Sequence, residues 1–226
     1  MPTAQKMDLD HNKLIAEVAK QTLLPVGLKR KGKSRLYYDD NGWWCTIVEF
    51  QPSGFSKGSY LNVGVSWLLY EQDYWSFDVG SQEGSDRRFA SAESESEFAN
   101  AVFEKAMRAK EIVENNRERF STISKAHDYY QSIKREGWAY YYAAAIAGLN
   151  REFAIARENF DSLLAYPERT EWQKILNLRS RELMGLLGHP KEFVEAITGI
   201  VLRTRALLRL EKKDAALLGL PPVEEI

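Results

Sequence analysis

Residues 27 to 34 read Gly27-Leu-Lys-Arg-Lys-Gly32-Lys33-Ser34, a literal match to the phosphate-binding pattern G-x-x-x-x-G-K-[ST]. Such a loop works because it leaves a buried strand and opens a helix, whose first N–H groups and positive dipole end cradle the anion. Here a helical pattern and Pro25 precede the glycine, and the strand-like Arg35-Leu-Tyr-Tyr38 follows the serine. No later apolar strand ending in an aspartate offers a magnesium partner, so the context speaks against nucleotide hydrolysis. The same stretch places five cations in seven positions, Lys29, Arg30, Lys31, Lys33 and Arg35, with Tyr37, Tyr38, Trp43 and Trp44 close by. Cations beside aromatic rings suit contacts to phosphates and stacked bases. The competing reading is a solvated basic turn beside strand aromatics that pack inward. With 31 basic and 32 acidic side chains and a net charge of −1, the chain has no wider basic field to support a nucleic-acid surface.

Other chemistry is thin. His11, His127 and His189 are separated by more than sixty residues and show no metal-ligand spacing. The single cysteine, Cys45, sits inside a hydrophobic strand pattern with no evident histidine partner, and no G-x-S-x-G elbow occurs. Glu93, Glu95 and Glu97 precede or open a helix, where the dipole and the cap account for them. No cofactor, metal or catalytic set is expected. An aromatic cluster, Trp138, Tyr140, Tyr141 and Tyr142, opens a later helix. Exposed, such rings would anchor a peptide or a partner helix; buried, they would cover a junction between two halves of the chain.

The elements that must position these groups divide at about residue 122. Leu14, Ile15, Val18 and Ala19 have helical spacing, and Pro25 with Gly27 ends that helix. Leu36 to Tyr38 predicts a strand, and Asn41-Gly42 a tight hairpin into a partner strand over Trp43 to Gln51. Pro52 to Ser59 is turn chemistry. Alternation from Tyr60 to Leu69 predicts a strand with one buried face, and Tyr74 to Val79 and Arg87 to Ala90 two shorter ones. Ser94-Glu-Ser-Glu97 is a capping box opening a long helix whose stripe is Phe98, Val102, Ala106, Ala109, Val113 and Phe120.

Past Ser121 the pattern is helix upon helix, broken near Gly137, Asn150, Pro167 and Gly188-His189-Pro190, with a polar tail from Asp214. Glu152-Phe153-Ala-Ile-Ala156 and Glu192-Phe193-Val-Glu-Ala196 repeat at an interval of 40 residues, as stacked helical hairpins require. The expected fold is α+β: an N-terminal antiparallel sheet packed with helices over residues 1–122, then an all-α helical-hairpin region over 123–226.

Residues 137 to 167 resemble a tetratricopeptide repeat. Ala144 and Ala156 match its small positions, Tyr140, Phe153 and Phe160 its aromatic ones, and Leu164 and a shifted Pro167 its end. Arg151 stands where a glycine is usual, and no third unit is visible, so this half should lean on the rest of the chain. The resemblance implies that Tyr140 packs between helices while Trp138, Tyr141 and Tyr142 face a binding groove. About residues 12 to 120 resemble the bacterial family catalogued as family 4304 of domains of unknown function. That resemblance is carried by Leu24-Leu-Pro-Val-Gly-Leu-Lys-Arg-Lys-Gly, Tyr37-Tyr38, Val48-Glu-Phe-Gln-Pro-Ser53 and Tyr60-Leu-Asn-Val-Gly-Val65. It implies an α+β fold with an antiparallel sheet and supplies no activity.

The leading expectation is a non-enzymatic protein- or peptide-interaction module binding through Trp138, Tyr141 and Tyr142. Nucleic-acid or phosphate binding through residues 29 to 35 stands second, and an enzyme with a cleft between the halves third. With no secretory signal and no apolar run able to span a bilayer, the expected location is cytoplasmic and away from membranes.

Overall fold

The structure is a computed structural model that describes residues 11–52, 58–80, 89–91 and 94–222, with backbone only for 89–91. Residues 1–10 and 53–57, Arg87, Arg88, Glu93 and the last four residues lie outside that set. The order opens with α1 (His11–Thr22), a 3-10 turn over Leu24–Val26, β1 (Lys29–Arg30), β2 (Leu36–Asp40), β3 (Trp44–Pro52) and β4 (Gly58–Trp67). Then come β5 (Val79–Gly80), β6 (Phe89–Ser91) and α2 (Glu95–Arg119). The remaining helices are α3 (Ile123–Ser132), α4 (Trp138–Leu149), α5 (Phe153–Leu164), α6 (Glu171–Gly185) and α7 (Pro190–Leu207), followed by a 3-10 turn over Ala215–Leu217.

The strands form one antiparallel sheet in the order β1-β2-β3-β4-β5, with β6 also paired to β4. The fold is therefore α+β, an antiparallel sheet followed by helices. The chain divides into two compact units that do not follow a single cut. One holds the chain up to Asp40 with Thr46–Gly64 and Val79–Asn115; the other holds Asn41–Cys45, Val65–Asp78 and the chain from Asn116.

In the first unit, α1 offers Ile15, Val18 and Ala19, and α2 offers Phe98, Val102, Ala106, Ala109 and Val113, to a core that includes Tyr37, Val48, Phe50, Leu61 and Val63. The α2 stripe is the one its sequence spacing predicts. Its start is capped as expected, the Glu97 N–H donating to Ser94 Oγ at 3.2 Å. The 3-10 turn ends on Gly27, whose φ of 95° only glycine adopts readily.

Three local expectations are corrected. The single buried face of β4 holds only as far as Val63; from there to Trp67 both faces are buried, including Gly64 and Ser66. Residues 74–78 are not a strand, and only Val79–Gly80 pairs. Of the strand expected over 87–90, the described residues Phe89 and Ala90 do form one, which runs on to Ser91. The C-terminal tail is not wholly polar in role, since Leu218 is fully buried and its carbonyl sits so close to Gly42 that a Cβ there would overlap it.

In the second unit, α4 is the central helix. Its sequence, WAYYYAAAIAGL, is apolar all round, and every residue from Tyr141 to Leu149 is buried. It packs against α3, α5 and α7. Asn41 to Gly42 forms the expected β2–β3 turn, Gly42 having φ 87°. The α4–α5 turn holds Arg151 at φ 64°, a left-handed conformation that glycine adopts more readily than arginine.

Candidate functional site

The five basic residues are brought together in one hairpin, but not as a phosphate loop. Lys29 and Arg30 form β1, paired to Tyr38 and Tyr37 of β2, and Gly32 turns with φ 55°. Lys33-Ser34 therefore leads into a strand, with no helix N-terminus to cradle an anion. Arg30 donates to the carbonyls of Ser34 (Nε, 2.7 Å) and Lys33 (3.0 Å), and its guanidinium lies 5.9 Å from the Tyr37 ring. Arg35 Nε donates to Asn12 Oδ1 at 2.6 Å. The two arginines thus hold the turn and its neighbour α1. Tyr37, Trp43 and Trp44, the proposed stacking platform, are core side chains at 1%, 2% and 2% exposure, and Tyr38 is half-buried. Bases cannot stack on rings already packed on both faces. Trp43 itself lies parallel to Trp67, centroids 5.0 Å apart, within the second unit.

The aromatic cluster of α4 is also corrected. Tyr141 and Tyr142 are buried, and neither faces a groove. Tyr141 donates its hydroxyl to the Leu69 carbonyl at 3.0 Å, and burial pushes its pKa upward. Tyr142 hydrogen-bonds the carboxylate of Asp78. Tyr140, expected between helices, is half-buried, and its ring lies 6.2 Å from that of Tyr166.

What these residues build is a foundation. The Trp138 ring stacks on Tyr142 on one side, centroids 6.1 Å apart at 26°, and on Trp172 on the other, 5.8 Å at 12°. Buried Tyr142, half-buried Trp138 and exposed Trp172 form a column running from the interior to the surface of the second unit. Trp172 belongs to α6, whose entrance is fixed: Gln173 Oε1 accepts from the backbone N–H groups of Arg169 (2.8 Å) and Thr170 (2.9 Å). Asn177, buried on the same helix, donates to Glu168 at 2.9 Å and so ties the approach segment down.

Beyond Trp172, the outward side of α6 continues with Ile175 and Leu178. These three side chains are 49%, 47% and 55% exposed. Leu176, Ser180 and Leu183 take the inward side. The helix thus carries large apolar side chains beyond its buried face, of which Trp172 lies against Trp138. Beside Trp172 lies a slot of about 50 Å³ walled by Leu163, Tyr166, Pro167 and Leu176. That is far below the few hundred Å³ of a small-molecule site, and it has room for the tip of one side chain. Sequence reasoning missed Trp172. Its signal was there: Trp172, Ile175 and Leu178 recur every third residue, a row that starts beside the buried stripe and winds away from it, adding apolar surface that the buried face of the helix does not need.

His11, His127 and His189 stand on α1, on α3 and at the entrance of α7, and Cys45 is buried in β3. Among the described residues no group of three His, Cys, Asp or Glu side chains is placed to hold a metal ion, and no helix is long and apolar enough to cross a membrane. No family model, curated protein or solved structure matches the chain.

Proposed function

We propose that this chain is a non-enzymatic protein-interaction module and that its contact surface is the outward face of α6, anchored on Trp172. The observation that carries this is the row of three large apolar side chains, each about half exposed, on a helix whose start is pinned by Gln173 and whose tryptophan is backed by Trp138. Solvated helices rarely keep such a row, because exposed apolar area of this kind favours association. A stacked, pre-ordered indole also loses little freedom on binding, which is why tryptophan is frequent at the centre of interfaces. Tyr141 and Tyr142 contribute from beneath by holding Trp138. The resemblance of residues 12 to 120 to a family of unknown function adds no activity to this reading. Work in a reducing, cytoplasmic compartment agrees with a lone, buried thiol at Cys45.

The test is a photo-crosslinking residue at position 175, compared with the same residue at exposed Glu195 of α7. Position 175 should give a covalent adduct to protein in cells that express the chain, Glu195 should give much less, and Trp172→Glu should abolish the adduct at 175. Equal labelling at both positions, or adducts that survive Trp172→Glu, would remove α6 as the contact surface.

A further inference from the structure

The chemistry of the α6 face identifies an occupant. With 3.6 residues per turn, Glu171, Trp172, Ile175, Leu178 and Arg179 lie within a sector about 120° wide, centred on Ile175 and bordered at Trp172 by the buried face. Their order along it is acid, large apolar, apolar, apolar, base. A face of that order is complementary to itself when turned end for end. We infer that the partner is a second copy of this chain, docked on α6 about a two-fold axis that passes at Ile175.

An axis there sets Ile175 against the partner's Ile175 and Trp172 against the partner's Leu178. Glu171 then stands opposite the partner's Arg179, twice over by symmetry. Both charged groups are open to such an exchange. Glu171 has 78% of its side chain exposed and lies 3.1 Å from Lys174, while Arg179 is 44% exposed and lies 3.5 Å from Glu182. Surface pairs of this sort are weak and easily replaced. The same axis sets Glu182 opposite the partner's Glu168. That repulsion is relieved because Glu168 already accepts from Asn177 and from Arg181, the latter at 3.3 Å. A face one helix wide buries less than a standard interface, so the dimer is weak and concentration-dependent.

This inference rests on α6 being the contact surface, and the experiment separates the two. Sedimentation of the purified chain over a concentration series should show a reversible monomer–dimer equilibrium. Glu171→Arg sets arginine against arginine and Arg179→Glu sets glutamate against glutamate, so each variant alone should dimerise at least roughly tenfold more weakly. Mixed in equal amounts the two should form a heterodimer of about wild-type affinity, because both cross-pairs are then opposite in sign. Both substituted positions are exposed, and circular dichroism of each variant reports whether it is folded. A wild-type chain that stays monomeric at high concentration, or a mixture that does not recover, overturns the two-fold pairing. An adduct from position 175 to a different protein alongside a monomeric chain would leave α6 as an interaction surface with another occupant.

Discussion

Asp78 is the residue whose charge sits least comfortably in its surroundings. Its Oδ2 accepts from the Trp67 N–H at 2.8 Å and the Ser76 hydroxyl at 2.9 Å, and Ser76 is in turn hydrogen-bonded by Gln72. Burial nevertheless pushes its pKa up to about 6, because these donors and Tyr142 offset only part of the lost hydration. The native state therefore keeps a proton that the unfolded chain releases near pH ~3.9. Between those values the folded form binds more protons, so this group's contribution is largest below the lower one, falls as pH rises to about 6 and is flat above. From about pH 5 to about pH 7.5 the loss is on the order of 1 kcal/mol. Asp78→Asn keeps an oxygen for both donors and cannot ionise. Urea unfolding should show the variant lacking that part of the pH dependence, read as the difference from wild type so that exposed carboxylates with lowered pKa, such as Glu168, cancel. Identical profiles would mean that Asp78 titrates normally. No sequence pattern announces this cluster, because Ser66, Ser76 and Tyr142 come from a strand, a loop and a helix. Trp172 was legible in principle, whereas Tyr141 and Tyr142 misled because an aromatic run looks the same on an exposed face and on a central helix.

Among the elements, those that carry their own period were readable: α1, the α2 stripe, the Asn41-Gly42 turn and the helix breaks at Gly137 and Asn150 all follow from local spacing and turn chemistry. What local spacing does not encode is which helix lies against which. The 40-residue echo places Phe153 and Phe193 at corresponding positions, yet their roles differ, Phe193 being fully buried and Phe153 only in part. The Phe193 ring crosses α4 at Gly148, so close that a Cβ on that glycine would lie 2.5 Å from it. Gly148→Ala should therefore destabilise the protein by about 1 to 3 kcal/mol, although alanine is the better helix former. Phe193→Leu in the same chain should recover part of that loss, since the smaller side chain leaves room for the methyl group. A double-mutant cycle by denaturant unfolding measures the coupling, and strict additivity would show that α4 and α7 do not meet at this point.

At the scale of the molecule, the helices of the second unit are not self-sufficient. Trp67 of β4 donates its indole N–H to Tyr130 of α3 at 2.8 Å, and its ring meets Phe120 edge-on at 5.1 Å. Thr204 and Arg203 of α7 bind Tyr70 and Glu71, and Arg205, almost fully buried, donates to the Gly42 carbonyl at 2.8 Å. Sequence composition changes near residue 122, but these partners come from Asn41–Cys45 and Val65–Asp78, pieces of hairpin that belong to the same compact unit as the helices. A fragment of residues 123–226 therefore loses Trp43, Trp44, Trp67 and Phe120 at once and leaves buried polar groups such as Arg205 without their acceptors. It should keep helical far-ultraviolet dichroism while losing near-ultraviolet signal and binding a hydrophobic dye, the marks of a chain with secondary structure but no fixed core. A fragment that instead unfolds in one sharp transition with native near-ultraviolet dichroism would show that the α4–α7 helices need no support from the hairpins. In that case the stack beneath Trp172 would rest on α4 alone, and Asp78→Asn would leave the α6 surface unaffected.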